Sequence, residues 1–384
     1  MKVYLTRVAI LIFCLMLRTA LADNHLVISE SLPSDSLSQQ HYRVWLPESY
    51  KSEGNTRYPL LLVLDGQKYG NLVASNAKFL AYSEDIPEHI IVTLDVKNRL
   101  LNYTPTDSSD WDGDGGAPKF LTFITDELLP ELEKKFRFSE TRIMWGHSAA
   151  GLFAMYAFMN APHGFNAFLV NDGSLDWDNR YIYKSLSLYL QKFPKRNRFL
   201  YLNTSFLDPD APDEFKFIEP IVNLLEARAI PQLRWVYQPM PDESHASIPL
   251  LGSIHGLKAL YKGFRIPESI ILKGLPAVKS YFESVKGQIG ARKKIPESVL
   301  LMTGIIGIQH NKKEAIEAFR FCIELYPESL DAREQLAEAY LMNEQTKLAI
   351  MALEEAILVA NELKSERTEG IKQRLKLLRK KLND

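Results

Sequence analysis

Cysteine is almost missing from this 384-residue chain, which has two. Cys14 lies in an apolar stretch near the N-terminus, and Phe13 before it is too bulky for a lipoprotein processing site. Only Cys322 belongs to the body of the chain, so an internal disulfide framework is excluded and packing must supply the stability. An excess of one charge is missing too: 46 basic and 47 acidic residues leave a formal net charge of -1. Without a basic surplus to neutralise phosphates, nucleic acid is not an expected partner. Long apolar runs are also lacking. The stretch Val8 to Leu17 has ten residues, about half of what a membrane-spanning helix needs.

That short run has the flanks of a secretory signal. Lys2 and Arg7 precede its core, and Ala20-Leu21-Ala22 supplies a small-residue cleavage site. The expectation is a signal peptide over residues 1–22 and a mature, secreted or periplasmic chain from Asp23, without stable membrane insertion.

From about residue 40 to 265, short β-rich runs alternate with helical patterns. Strands are predicted at His41 to Leu46, Tyr58 to Leu64, His89 to Leu94, Arg142 to Trp145, Ala167 to Asn171, Arg198 to Asn203 and Leu233 to Gln238. Several are continuous apolar runs, which suits strands covered on both faces. The clearest helix is Lys119 to Lys135, with Phe120, Phe123, Ile124, Leu128 and Leu132 at three- and four-residue spacing. This alternation predicts the α/β class, a mostly parallel sheet with helices on both faces. After Arg265 only helical patterns remain. Ala315, Phe319 and Cys322 recur thirty-four residues later as Ala349, Leu353 and Ala356, with Pro327 closing the first unit. That period is the tetratricopeptide signature, in which small residues let paired helices approach. The expected organisation is a sheet domain over residues 23–270, a helical linker over 271–295 and a small all-α repeat domain over 296–384. Such repeats offer a surface for self-association or a protein partner.

Chemistry concentrates at Gly146-His147-Ser148-Ala149-Ala150-Gly151, between a predicted strand and the apolar helix Leu152 to Met159. A serine among small residues on a strand-to-helix turn is a nucleophile elbow, although Ala150 stands at the second glycine of the usual pattern. Serine needs a base, and His245 follows the last strand on the polar loop Pro241-Asp242-Glu243-Ser244-His245. His163, His255 and His310 are less well placed, and His147 reads as a packing or surface residue. For the acid, Asp208 is favoured because it lies one short loop beyond the penultimate strand; Asp210, Asp213, Glu214, Asp172 and Asp176 compete. The oxyanion hole calls for the N–H groups of Ala149 and Gln67, the latter after Leu64-Asp65-Gly66. Asp110-Trp111-Asp112-Gly113-Asp114-Gly115 opens like a calcium loop, but Leu121 stands where the bidentate Glu belongs. No metal or organic cofactor is expected.

These pieces resemble the esterase family of α/β-hydrolases that includes the esterase D type, siderophore esterases and mycolyltransferases. The resemblance is carried by Val63-Leu64-Asp65-Gly66, Leu101-Asn102-Tyr103-Thr104-Pro105, Gly115-Gly116-Ala117, Glu127-Leu128-Leu129-Pro130, Gly146 to Gly151, and His245-Ala246-Ser247-Ile248-Pro249. The C-terminal extension resembles bacterial members that carry tetratricopeptide repeats. The family implies Ser148 and His245 in their triad roles and the Gln67 and Ala149 amides in the oxyanion hole. It leaves the acid open, because Leu207-Asp208 stands where members often have Glu. The implied activity is cleavage of a carboxylic ester, with a siderophore-like, acylated-sugar or small acyl ester as substrate. Acyl transfer to an alcohol, and a non-catalytic scaffold using the helical repeats, are the alternatives.

Overall fold

The computed structural model of the chain describes residues 27–34, 37, 39–51, 54–108, 113–205 and 217–383. The signal-like segment lies outside them. The first half runs β1 (Val27–Leu32), β2 (Gln40–Trp45), β3 (Tyr58–Leu64), α1 (Gly66–Tyr82), β4 (Ile90–Asp95) and α2 (Arg99–Tyr103). A small hairpin of β5 (Asp107–Ser108) and β6 (Gly113–Asp114) follows. Next come α3 (Ala117–Thr122), a π-helical turn (Phe123–Leu128), α4 (Leu129–Lys135), β7 (Phe138–His147) and α5 (Ala149–Asn160). The sheet domain ends through β8 (Ala167–Asn171), α6 (Trp177–Gln191), β9 (Arg198–Thr204), α7 (Ile218–Glu226), β10 (Leu233–Pro239) and α8 (Ile248–Leu260).

Eight strands form one sheet in the order β1-β2-β4-β3-β7-β8-β9-β10. The six from β4 to β10 are parallel, and β1 and β2 pair antiparallel at one edge. The run of β3 shows why its sequence is apolar throughout. Leu60, Leu62 and Leu64 pack into the core on one face with Phe120, Phe123 and Phe153. Leu61 and Val63 pack on the other with Val73, Trp145 and Leu257. Side chains alternate across the sheet, so burial on both faces demands an apolar residue at every position. β1 escaped sequence reading because it is a half-exposed edge strand, with no continuous apolar run to announce it.

The helix predicted at Lys119 to Lys135 is present as α3, the π turn and α4, and its five apolar residues are fully buried. Pro130 accounts for the interruption: it lacks an N–H and crowds the carbonyl four residues back, so the ladder opens just before it. Beyond the sheet the chain is helical: α9 (Glu268–Ile271), α10 (Leu275–Val285), α11 (Glu297–His310), α12 (Lys312–Leu325), α13 (Leu330–Met342), α14 (Thr346–Glu362) and α15 (Thr368–Asn383). Ala315, Phe319, Cys322, Ala349, Leu353 and Ala356 are all fully buried. Gly304 of α11 lies under Phe319, where an added Cβ would come within 2.5 Å of the ring. Among the described residues no helix is long and apolar enough to cross a membrane.

Candidate active site

The parallel register brings five strand ends to one edge. Val63 pairs with Trp145, His147 with Asn171, Asn171 with Asn203, and Asn203 with Gln238. The segments that follow β3, β7, β8, β9 and β10 therefore meet outside the carboxyl ends of the strands, where open α/β sheets place their ligands.

Ser148 sits on the tight turn from β7 to α5 with φ 61° and ψ -124°. L-residues seldom adopt that backbone, and the neighbours hold it there. The Ser148 N–H donates to the Asn171 carbonyl at 3.1 Å, and the Ser148 carbonyl accepts from the Ser174 N–H at 3.2 Å. Gly146 has no substitute in this turn, since a Cβ would lie 2.1 Å from the Ala150 carbonyl oxygen. Gly151 supplies a second close approach, to the Gly173 backbone, while Ala150 is fully buried without needing to be glycine. Ser148 is half-buried.

His245 lies on the exposed loop after β10, and its Nδ1 donates to Asp172 Oδ2 at 2.7 Å. Asp172 directly follows β8, the neighbour of the elbow strand, with φ 42°. Its carboxylate also accepts from the Ser205 hydroxyl at 2.6 Å and the Ser205 N–H at 3.1 Å. Its own N–H donates to Asn203 Oδ1 at 2.9 Å. Burial pushes the Asp172 carboxyl up, but the hydrogen bonds from His245 and Ser205 outweigh it and hold the group below the usual carboxylate range. Asp208, Asp210, Asp213 and Glu214 all fall outside the described residues, so the favoured acid of the sequence reading is not among the groups placed here. The physical reason Asp172 reaches His245 is the register: residue 172 is one step beyond the pair of His147, hence beside Ser148. The end of β9 contributes neutral donors instead.

Gln67 and Ala149 stand in the first turns of α1 and α5, where backbone N–H groups have no acceptor in their own helix. The turn carrying Gln67 is braced on several sides. The Gln67 amide bonds both the N–H and the carbonyl of Val96, at 3.1 and 2.8 Å. Arg43 donates to the Gly66 carbonyl at 2.7 Å. Asp65, buried and left-handed, accepts from Arg99 Nε at 2.9 Å and the Tyr103 hydroxyl at 3.1 Å. Burial raises the Asp65 carboxyl despite that Arg99 guanidinium. Gly66 is required for packing against β4, where a Cβ would lie 2.8 Å from the Thr93 side chain.

His147, read from the sequence as a packing or surface residue, is a packed one with two hydrogen bonds that the sequence did not indicate. It is buried, its Nδ1 accepts from the Tyr69 hydroxyl at 2.8 Å, and its Nε2 donates to the His245 main-chain carbonyl at 2.8 Å. The signal was present in its place directly before the serine, on a strand whose preceding residues Ile143, Met144 and Trp145 are buried in the core. His147, Asp172 and His245 hold one ligand-type atom each within 4.8 Å of one another. Both ring nitrogens of His147 are engaged in hydrogen bonds, with Tyr69 and with the His245 carbonyl, so its ring presents no free lone pair to a cation. Asp110, Trp111 and Asp112 of the calcium-like stretch lie outside the described residues, and Leu121 is a buried residue of α3.

Comparison with known proteins agrees with this architecture. Residues 36–180 match the family described as "Putative esterase". The ferri-bacillibactin esterase BesA of Bacillus subtilis is 29% identical over 93 residues, 24% of this chain and 32% of that protein. Among solved structures, an IroE-like serine hydrolase from Shewanella oneidensis superposes with a TM-score of 0.65 at 25% identity, covering 78% of this chain and all of that one. An uncharacterised protein from Capnocytophaga ochracea matches with a TM-score of 0.66 at 16% identity, over 92% of this chain and 99% of its own. The chain spans 29% to 62% of the length of three curated relatives that it matches. The fold is an α/β-hydrolase-like sheet with a C-terminal helical region.

Proposed function

We propose that this protein is a serine esterase that cleaves a carboxylic ester through an acyl-enzyme on Ser148. His245 is the general base, Asp172 takes the orienting role first given to Asp208, and the Gln67 and Ala149 N–H groups receive the oxyanion. Ser148 attacks the ester carbonyl as His245 accepts its proton; the tetrahedral oxygen is held by the two amides. His245 then returns the proton to the departing alcohol, and water repeats the sequence to release the acid. The observation that carries this reading is the 2.7 Å bond from His245 Nδ1 to Asp172, formed beside a left-handed serine at the edge where the strands end.

For substrate we propose a siderophore-type ester. Support comes from the named activity of BesA and from exposed Lys68 and Lys97 beside the Gln67 turn, which suit an anionic ligand. The apolar segment before residue 23 supports export. The thirty-four-residue period supports reading α11 to α14 as tetratricopeptide-like repeats, which pack on α9 and α10. Labelling with a fluorophosphonate probe tests the mechanism, and turnover of a ferric triscatecholate ester beside p-nitrophenyl acyl esters tests the substrate. Ser148→Ala is expected to abolish labelling, and His245→Ala to lower kcat by about 10⁴-fold or more. Equal labelling of wild type and Ser148→Ala would sink the assignment.

A further inference from the structure

His147 takes no part in the chemistry just described, yet it is 2% exposed and joins both halves of the site. The direction of its two hydrogen bonds is settled by its partners. A main-chain carbonyl only accepts, so Nε2 carries the proton toward His245, and bare Nδ1 takes the Tyr69 phenol proton. Tyr69 belongs to the first turn of α1, the turn that presents Gln67. Three segments are thus connected: the oxyanion turn through Tyr69, the elbow through His147 itself, and the base loop through the His245 carbonyl. The base loop has few other ties to the sheet. Its Ser244–Ser247 and Glu243–Ser247 side-chain bonds are internal, the Asp172 bond holds only the tip of a His245 side chain that is 57% exposed, and the His147 bond holds the main chain of the same residue.

We propose that His147 is a positioning residue whose Tyr69–His147–His245 relay locks the base loop to the oxyanion turn, so that proton acceptor and oxyanion donors are set as one unit. This inference rests on the serine-esterase reading. The His147 and His245 rings lie 4.5 Å apart, centre to centre, at 39°. When His245 becomes an imidazolium, a second cation at that distance would oppose it. Burial, then the nearby His245, lower His147 to about 4, which keeps it neutral. The charged groups facing it are His245 on the base loop, Asp172 at the end of β8 and Lys68 in the first turn of α1; Asp172 favours a charged ring and the other two oppose it.

The test is steady-state kinetics on a p-nitrophenyl ester, with melting curves, for His147→Phe, His147→Gln, His147→Asn and Tyr69→Phe. Loss of a positioning contact is expected to cut kcat of His147→Phe by ~30- to 100-fold, with KM within ~3-fold. Glutamine carries an N–H near the place of Nε2, so His147→Gln should recover to within ~5-fold of wild type; asparagine is too short and should not. Tyr69→Phe should lose less than His147→Phe. If His147→Phe does not fold, the contrast between Gln and Asn decides. Unchanged kcat in a folded His147→Phe, or equal impairment of Gln and Asn, overturns the relay alone. A wild type that neither turns over esters nor labels with fluorophosphonate overturns the esterase reading and this inference together.

Discussion

At the carboxyl edge of the sheet, Asp65, His147, Asn171, Asp172 and Asn203 are each no more than 7% exposed, and each is hydrogen-bonded. In the C-terminal helices the buried residues are mostly apolar, among them Ala315, Phe319, Cys322, Ala349, Leu353 and Ala356, with Thr303, Ser329 and Arg333 as buried polar ones. There the charges largely face outward, as Arg367 with Asp331, Arg374 with Glu338 and Arg379 with Glu354. Burying a polar group costs free energy unless its partners are supplied. The sheet edge supplies them group by group and so holds the unusual backbone of Ser148 and Asp172 in place. The described helices bury little beyond apolar surface, which gives stability and shape.

The sharpest way to break this contrast is at the acid. Asp172→Asn should lower kcat by about a thousand-fold or more, by losing the acceptor that fixes the His245 tautomer, while Asp208→Asn stays within ~3-fold of wild type. Esterase kinetics on both variants decide it, and the reverse ranking would return the role to Asp208. In the helices, Phe319→Ala removes a fully buried ring and should cost ~3–5 kcal/mol by denaturant unfolding, with kcat per folded molecule unchanged. A collapse of kcat in the folded variant would show that the helices do position the site.

Smaller effects come from titration. His89 and His147 are both lowered to about 4, chiefly by burial. Between their unfolded value near 6.5 and 4 the unfolded chain binds protons that the folded chain refuses. Stability is therefore complete above pH 6.5 and is lost as pH falls toward 4, by on the order of 1–2 kcal/mol per histidine at pH 5. Melting temperature followed from pH 7 to 5 should fall, less steeply for His147→Gln. Asp172 works in a lower window: its group is depressed, so its contribution fades only as pH drops below the usual carboxylate range. The smallest effect belongs to the helical surface, where Arg379→Ala should change stability by ~0.5 kcal/mol or less, because an exposed pair is screened by water. A larger loss there would blur the line between the two regions.

Much of the sheet was legible because parallel strands covered on both faces must be apolar throughout. Tyr58–Leu64 and Ala167–Asn171 begin and end where the sequence placed them. β7 runs further, to Phe138, because hydrogen bonding to β3 continues past its apolar stretch. Within the proposed site, the tight turn at Ser148 and the loop position of His245 could be read from small residues around a turn and from a histidine after the final strand. The carboxylate that bonds His245 was harder. Asp172 and Asp208 are both aspartates just beyond a strand, and chain order alone does not say which strand lies next to the elbow.

By itself the sequence determined the α/β alternation, the elbow at Ser148, the His245 loop and the glycine at 146, since each depends on local sterics or on periodic burial. Only the tertiary structure decided which described carboxylate meets His245 and which groups His147 bonds. Both answers depend on lateral strand order, β3-β7-β8-β9, and on register, which place Tyr69, His147, Asp172 and Ser205 side by side although 136 positions separate the first from the last. Hydrogen bonds between neighbouring strands set that adjacency, and no local pattern along the chain records it.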